Sequence, residues 1–113
     1  MSGIKFIKSE ELLKEKVNHN INTFKSIIIQ SGTVPNLLQF AKAKLNKEET
    51  IETHLHESMY EVFYVMSGEL LVIENNKQTK VSTGDTFIVY PKQYHSLEIL
   101  KDSEMIYFNL EEK

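Results

Sequence analysis

Turn-forming residues break this chain roughly every ten positions, and little else limits its fold as strongly. Between the breaks lie short runs rich in β-branched and aromatic residues: "FKSIIIQ", "LLQFAKAKL", "IETHLH", "EVFYVM", "LLVIE", "KQTKV", "TFIVY", "HSLEIL" and "MIYFNL". The breaks themselves are "SGTVPN", "NKEET", "SGE", "NN", "STGD", "PKQY" and "KDSE". Runs of this length and spacing are too short for helices and specify antiparallel strands closed into a sandwich or barrel. "LLQFAKAKL" alternates, setting Leu37, Gln39, Ala41, Ala43 and Leu45 on one face and Lys42 and Lys44 on the other. Asn75-Asn76 suits a tight hairpin, because asparagine tolerates the left-handed conformation.

Only one stretch favours helix. Ser9 can cap Glu10–Lys16, with acidic residues in the first turn and lysines at the end, as the helix dipole prefers. Asn18–Asn22 reads as a polar loop, and His19 within it has no assigned role. At 113 residues the chain is expected to form one domain. Residues 1–36 supply a helix and an outer strand, and residues 37–113 supply the barrel.

Composition removes several function classes. A net charge of −3 offers no basic surface for nucleic acid. All thirteen basic residues are lysine, so no guanidinium fork is available to grip a phosphate or carboxylate in a bidentate way. With no cysteine there are no disulfides, thiolate ligands or cysteine nucleophiles. The apolar runs are too short to span a bilayer as helices, and "MSGIKFIKSEELLKEK" lacks the apolar region and cleavage site of a signal peptide. A cytoplasmic protein is expected.

The chemistry concentrates in "HLHESMYEVFYVMSG", residues 54–68. In a strand, His54 and His56 share a face, so both imidazoles can converge on one point. Glu61 follows at an odd offset. The polar "ESM" offers a turn or bulge that would let Glu61, Phe63 and Val65 face inward from a neighbouring strand. Two imidazoles and a carboxylate then form a three-ligand face for a divalent ion. Further along, Gly84-Asp85 opens a turn, and His95 begins a strand eleven residues after the glycine, a fourth candidate. A single strand histidine is more often a packed or surface residue than a ligand. Glu61, however, sits against "VFYVM", where an unpartnered carboxylate would cost several kcal/mol and a metal would remove the cost.

These residues carry a resemblance to the cupin superfamily. His54, His56, Glu61 and Gly68 match its first motif position by position, and Gly84, Pro91 and His95 within "GDTFIVYPKQYH" match its second. The likeness covers residues 37–110. It implies an all-β, antiparallel jelly-roll barrel with one divalent transition metal (Fe, Mn, Ni, Co, Cu or Zn) in its mouth, held by His54, His56, Glu61 and His95. The sequence departs from the motifs at three places: Glu48 and Lys92 stand where glycine is usual, and Ile99 where asparagine is usual.

Three imidazoles and a carboxylate leave positions open for a small molecule, which suits a metal-dependent oxygenase, isomerase or lyase. Gln39, Tyr60 and Tyr94 are candidate catalytic groups lining or flanking the site; for each tyrosine the plainer reading is packing. A non-catalytic metal- or sugar-binding module is the alternative. A metal-free nucleotide-sugar epimerase is a third reading, disfavoured by the missing arginine and the complete ligand set. A homodimer is also expected, since a small barrel has sheet edges to cover and "FKSIIIQ" is apolar enough to pack on a second copy.

Overall fold

Eight strands account for nearly all of the regular structure in the computed structural model, which describes residues 3–16 and 24–112. The side chains of Lys16, Phe24, Glu52 and His54 lie outside that description, as does the 18–22 loop with His19. The strands are β1 (Leu13–Lys16), β2 (Phe24–Ile29), β3 (Leu37–Leu45), β4 (Thr50–His54), β5 (Met59–Glu74), β6 (Lys77–Ser82), β7 (Thr86–Val89) and β8 (His95–Glu111). All pairings are antiparallel, in the order β1-β2-β3-β8-β5-β6, with β4 on β8 and β7 on β5. This is the expected all-β, antiparallel jelly-roll barrel.

Two long strands replace four expected short ones. "EVFYVM" and "LLVIE" form the single strand β5, and "HSLEIL" and "MIYFNL" form β8. The intervening "SGE" and "KDSE" are not chain reversals. They are a shared bend, where the β5–β8 register shifts between Val65 and Leu70. Bulges of this kind sharpen the local twist and let a paired ribbon turn a corner. Below the corner β5 and β8 pair with β7 and β3; beyond it they pair with β6 and β4. Each long strand therefore serves both walls of the barrel.

Gly68 makes the corner possible. It has φ of 106°, and a Cβ there would come within 2.6 Å of the Asp102 carbonyl oxygen. Ser103, opposite, is buried; its hydroxyl donates to the Lys101 carbonyl at 2.7 Å and accepts from the Glu69 N–H at 3.1 Å. Those bonds satisfy backbone groups that the irregular ladder would otherwise leave open.

The helix expected over Glu10–Lys16 is absent. Ser9–Glu11 forms one 3-10 turn, and Leu13–Lys16 pairs with β2 in the register Leu13↔Ile27. A seven-residue helix gains too little from its own hydrogen bonds to be stable, whereas strand pairing extends an existing sheet. No helix among the described residues is long and apolar enough to cross a membrane.

The interior follows from strand alternation. Ala41, Ala43 and Leu45 of β3, Phe63, Val65 and Leu70 of β5, and Leu97, Ile99, Met105 and Tyr107 of β8 are all buried in one cluster. Phe63 stacks between Phe87 at 4.6 Å and Tyr107 at 5.2 Å. Cross-strand register arranges these residues in rows. Ala41, Tyr107, Phe63 and Phe87 form one. The neighbouring row is Gln39, Asn109, Glu61 and Val89, so polar groups collect toward one end of an otherwise apolar barrel.

Candidate metal centre

Glu61 is the fixed point of that polar end. It stands on the inward face of β5 with Phe63 and Val65, and is buried to 6% exposure. The expected shift of face between His56 and Glu61 does occur: β4 ends at His54, residues 55–58 form the connection, and β5 begins at Met59. His56 is therefore in the connection rather than on the strand, a correction to the reading of "IETHLH". A backbone bond ties it to the facing turn: the Lys92 N–H donates to the His56 carbonyl at 2.7 Å. The turn before β8 thus carries the His56 segment beside His95, the first residue of β8.

Three donor groups converge. His56 Nε2 lies 3.1 Å and His95 Nε2 3.6 Å from Glu61 Oε1. The donor atoms of all three residues lie within 4.8 Å of one another. A first-row ion sits about 2.1 Å from such donors, which places neighbouring ligands about 3.0 Å apart at a right angle and about 3.4 Å apart at the tetrahedral angle. The 3.1 and 3.6 Å separations are compatible with ligands around an ion. Glu61 Oε1, His56 Nε2 and His95 Nε2 are buried and face one another without a well-formed hydrogen bond, and a cation among them would satisfy all three. The residues present therefore fit a divalent transition metal.

His95 is oriented for this role. Its Nδ1 is 3.0 Å from the Gln93 carbonyl oxygen, so Nδ1–H donates there and Nε2 is directed to Glu61. A backbone carbonyl on the far nitrogen fixes both tautomer and ring orientation, as is usual behind a metal-ligating histidine. Burial pushes the His95 pKa down, but the Glu61 carboxylate and the Gln93 carbonyl outweigh it, leaving the pKa raised. The His56 and His95 rings are 5.9 Å apart between centroids. The backbone of His54 is directly opposite His95 in the β4–β8 pairing, while its side chain lies outside the described residues.

A cavity of about 370 Å³ opens over these groups, lined by Ala43, Leu45, Leu97 and Met105 on the apolar side and by Lys25, Gln39, Tyr107 and Asn109 on the polar side. The small residue Ala43 stands on β3 where a larger side chain would fill that wall. Of the candidate catalytic groups, Gln39 lines the cavity. Tyr60 alternates with Glu61 and packs edge-on against Tyr90 at 5.4 Å, and Tyr94 is 60% exposed; neither is brought to the cavity. Tyr107 and Asn109 were not singled out from sequence, although the alternation of "MIYFNL" sets both on the face of Met105. Burial, then the charges of Glu61 and Glu15, push the Tyr107 pKa far above its ordinary value, so it remains a neutral phenol.

The two positions that lack the motif glycines adopt the conformation glycine would supply. Glu48 has φ of 77° and Lys92 φ of 67°. The turns are kept, at a steric cost of about 1–2 kcal/mol for each such residue.

A jelly-roll with imidazoles and a carboxylate gathered inside one mouth is the arrangement expected of the family whose motifs the sequence carries. The cupin domain family matches residues 42–111, well over half of the chain, and the protein belongs to that family. An oxalate-binding protein from Thermotoga maritima is 30% identical over 59 residues, which is 52% of this chain and 49% of that protein; the chain thus matches about half the length of this curated relative. The structure of a predicted oxalate decarboxylase from Thermotoga maritima superposes with a TM-score of 0.81 at 21% identity, covering 95% of this chain and 99% of that one. FeII HppE superposes with a TM-score of 0.80 at 16% identity, over 97% of this chain and 62% of that one. At these identities the two structures establish a shared fold.

Proposed function

We propose that the protein binds one divalent transition metal per chain through His54, His56, Glu61 and His95, and that it uses this centre on a small carboxylic acid or enediol, as a metal-dependent oxygenase, isomerase or lyase. The observation that carries this reading is the convergence of His56 Nε2 and His95 Nε2 on Glu61 Oε1 at 3.1 and 3.6 Å inside a cavity. When bound, such an ion supplies Lewis acidity to an oxygen of the ligand. The chain's own groups do the rest. Leu45, Leu97 and Met105 exclude water from one side of the ligand. Tyr107, held neutral, offers a hydroxyl proton, and the Asn109 side chain, whose Oδ1 is buried without a hydrogen bond, offers an amide. Gln39 adds a second amide across the strand pair from Asn109.

A binding role without turnover is the second reading, favoured by the oxalate-binding relative. The two are separated by incubating metal-loaded protein with small carboxylic acids and following product. Metal binding itself is tested by elemental analysis after reloading with iron, manganese, nickel, cobalt, copper and zinc in turn. About one ion per chain is expected in wild type and severe loss in His56→Ala; no stoichiometric uptake of any ion overturns the proposal. A homodimer belongs to the same proposal, supported by apolar side chains left exposed on the N-terminal segment, Ile4, Phe6 and Leu13 among them.

A further inference from the structure

A lysine ammonium faces the cavity from the barrel wall. Lys25 is the one lysine among the described residues lining the cavity, in a chain whose other cationic side chains are also all lysine. It shares the inward face of β2 with buried Ile27, and its own side chain is 20% exposed. The β2–β3 register sets it opposite Ala43, whose small side chain leaves room beside it. Its Nζ donates to Gln39 Oε1 at 2.9 Å. An ammonium has only donors, so the bond also fixes the Gln39 amide with its oxygen toward Lys25. Glu15, directly across the β1–β2 pair, approaches to 3.7 Å but is 56% exposed, so it neutralises the ammonium weakly.

This arrangement leaves a half-buried cation with donor capacity to spare in the same cavity as the metal-type triad. The other charged group of the cavity wall, Glu61, is engaged with His56 and His95. We propose that Lys25, aimed by Gln39, is the specificity-determining anion anchor of the pocket, and that the ligand is a small acid with two ends. One end, a 2-hydroxy or 2-oxo carboxylate, meets the metal; the other, a second carboxylate, pairs with Lys25. This rests on the metal-chelation reading above and narrows its substrate class to dicarboxylic acids.

The test is titration of the full-length cobalt-loaded protein, read by the cobalt visible absorption, with lactate, malate and 2-hydroxyglutarate. All three present the same chelating head, and only the last two carry a second carboxylate at increasing reach. At least one of the two diacids is expected to bind about tenfold more tightly than lactate, the worth of one charge-assisted hydrogen bond in a partly desolvated site. In Lys25→Met that ratio falls to near one, and in Gln39→Leu it falls part of the way. Diacids that bind no better than lactate to wild type overturn the anchor while leaving chelation standing, as does a preference that survives in Lys25→Met. If none of the three acids alters the spectrum of wild type, chelation fails and the anchor with it. The wild-type ratio decides the matter even if a variant folds poorly.

Discussion

The Lys92 N–H and the His56 carbonyl, 2.7 Å apart, couple the two turns that present the metal-type histidines. One turn carries His56 and the other leads into His95, so this backbone bond, together with the β4–β8 pairing of His54 with His95, draws together histidines 39 positions apart in sequence. Lys92 makes the bond from a left-handed conformation at φ of 67°. Lys92→Gly keeps the N–H and relieves the steric cost, offset by the greater freedom of glycine in the unfolded chain. The expected net gain is about 0.5 kcal/mol in denaturant unfolding. Lys92→Pro removes the donor and forbids the positive φ, and should lower both stability and metal affinity. Equal metal affinity in the proline variant would show that the coupling does not position the site.

Gly68→Ala addresses the corner where β5 and β8 cross between walls. The new methyl would meet the Asp102 carbonyl oxygen at 2.6 Å, backbone rather than a yielding side chain, and the φ of 106° is itself unfavourable for alanine. The expected loss is about 3 kcal/mol or more, the upper range of single substitutions. Thermal melting of the metal-free variant measures it without interference from the site.

Local patterns made much of this architecture legible, and long-range pairing explains what they missed. The inward face of β3 from Gln39 to Leu45 and the Asn75-Asn76 hairpin follow from alternation and turn chemistry, although a bulge between Leu37 and Gln39 breaks the alternation at Leu37; Asn75 and Asn76 do adopt φ of 48° and 65°. The inward turn of Glu61 followed from its offset from His56 and the polar "ESM" between them. The helix over Glu10–Lys16 failed because its competitor was a partner strand, β2, whose contribution no local window contains. "SGE" and "KDSE" looked like reversals because a bulged corner uses the same residues as a turn; only their pairing with each other distinguishes the two. Lys25 is illegible in the sequence for the same reason. It alternates onto the face of Ile27, but a lysine gains meaning there only when Gln39 and an empty volume stand beside it.

Oligomeric state follows from which surfaces the fold leaves uncovered. Both edges of β2 are occupied, by β1 and β3, so "FKSIIIQ" cannot extend a sheet into a second copy. The N-terminal segment can cover apolar area instead, with Phe6 74% and Ile4 66% exposed. Light scattering at micromolar concentration is expected to give twice the 13.2 kDa chain mass, and the double substitution Ile4→Asp with Phe6→Asp to shift it toward the monomer. A wild-type mass of 13.2 kDa refutes the dimer.

Metal removal should be visible in stability as well as in composition. A ligand that binds only the folded state stabilises it by RT ln(1 + [L]/Kd), about 4 kcal/mol when free metal is a thousand times its dissociation constant. For a domain of 113 residues this corresponds to a rise in melting temperature on the order of 10–20 °C. Glu61→Gln separates the metal contribution from that of the fold. The amide is nearly isosteric and carries no charge, so it removes a burial cost from the metal-free protein while weakening the ion's hold. The metal-free variant should therefore melt at or above the metal-free wild type, and added metal should raise its melting temperature much less. If chelation demonstrably strips the ion from wild type and leaves its melting curve unchanged, the convergence of His56 and His95 on Glu61 is a hydrogen-bonding cluster of the folded chain and not a metal centre.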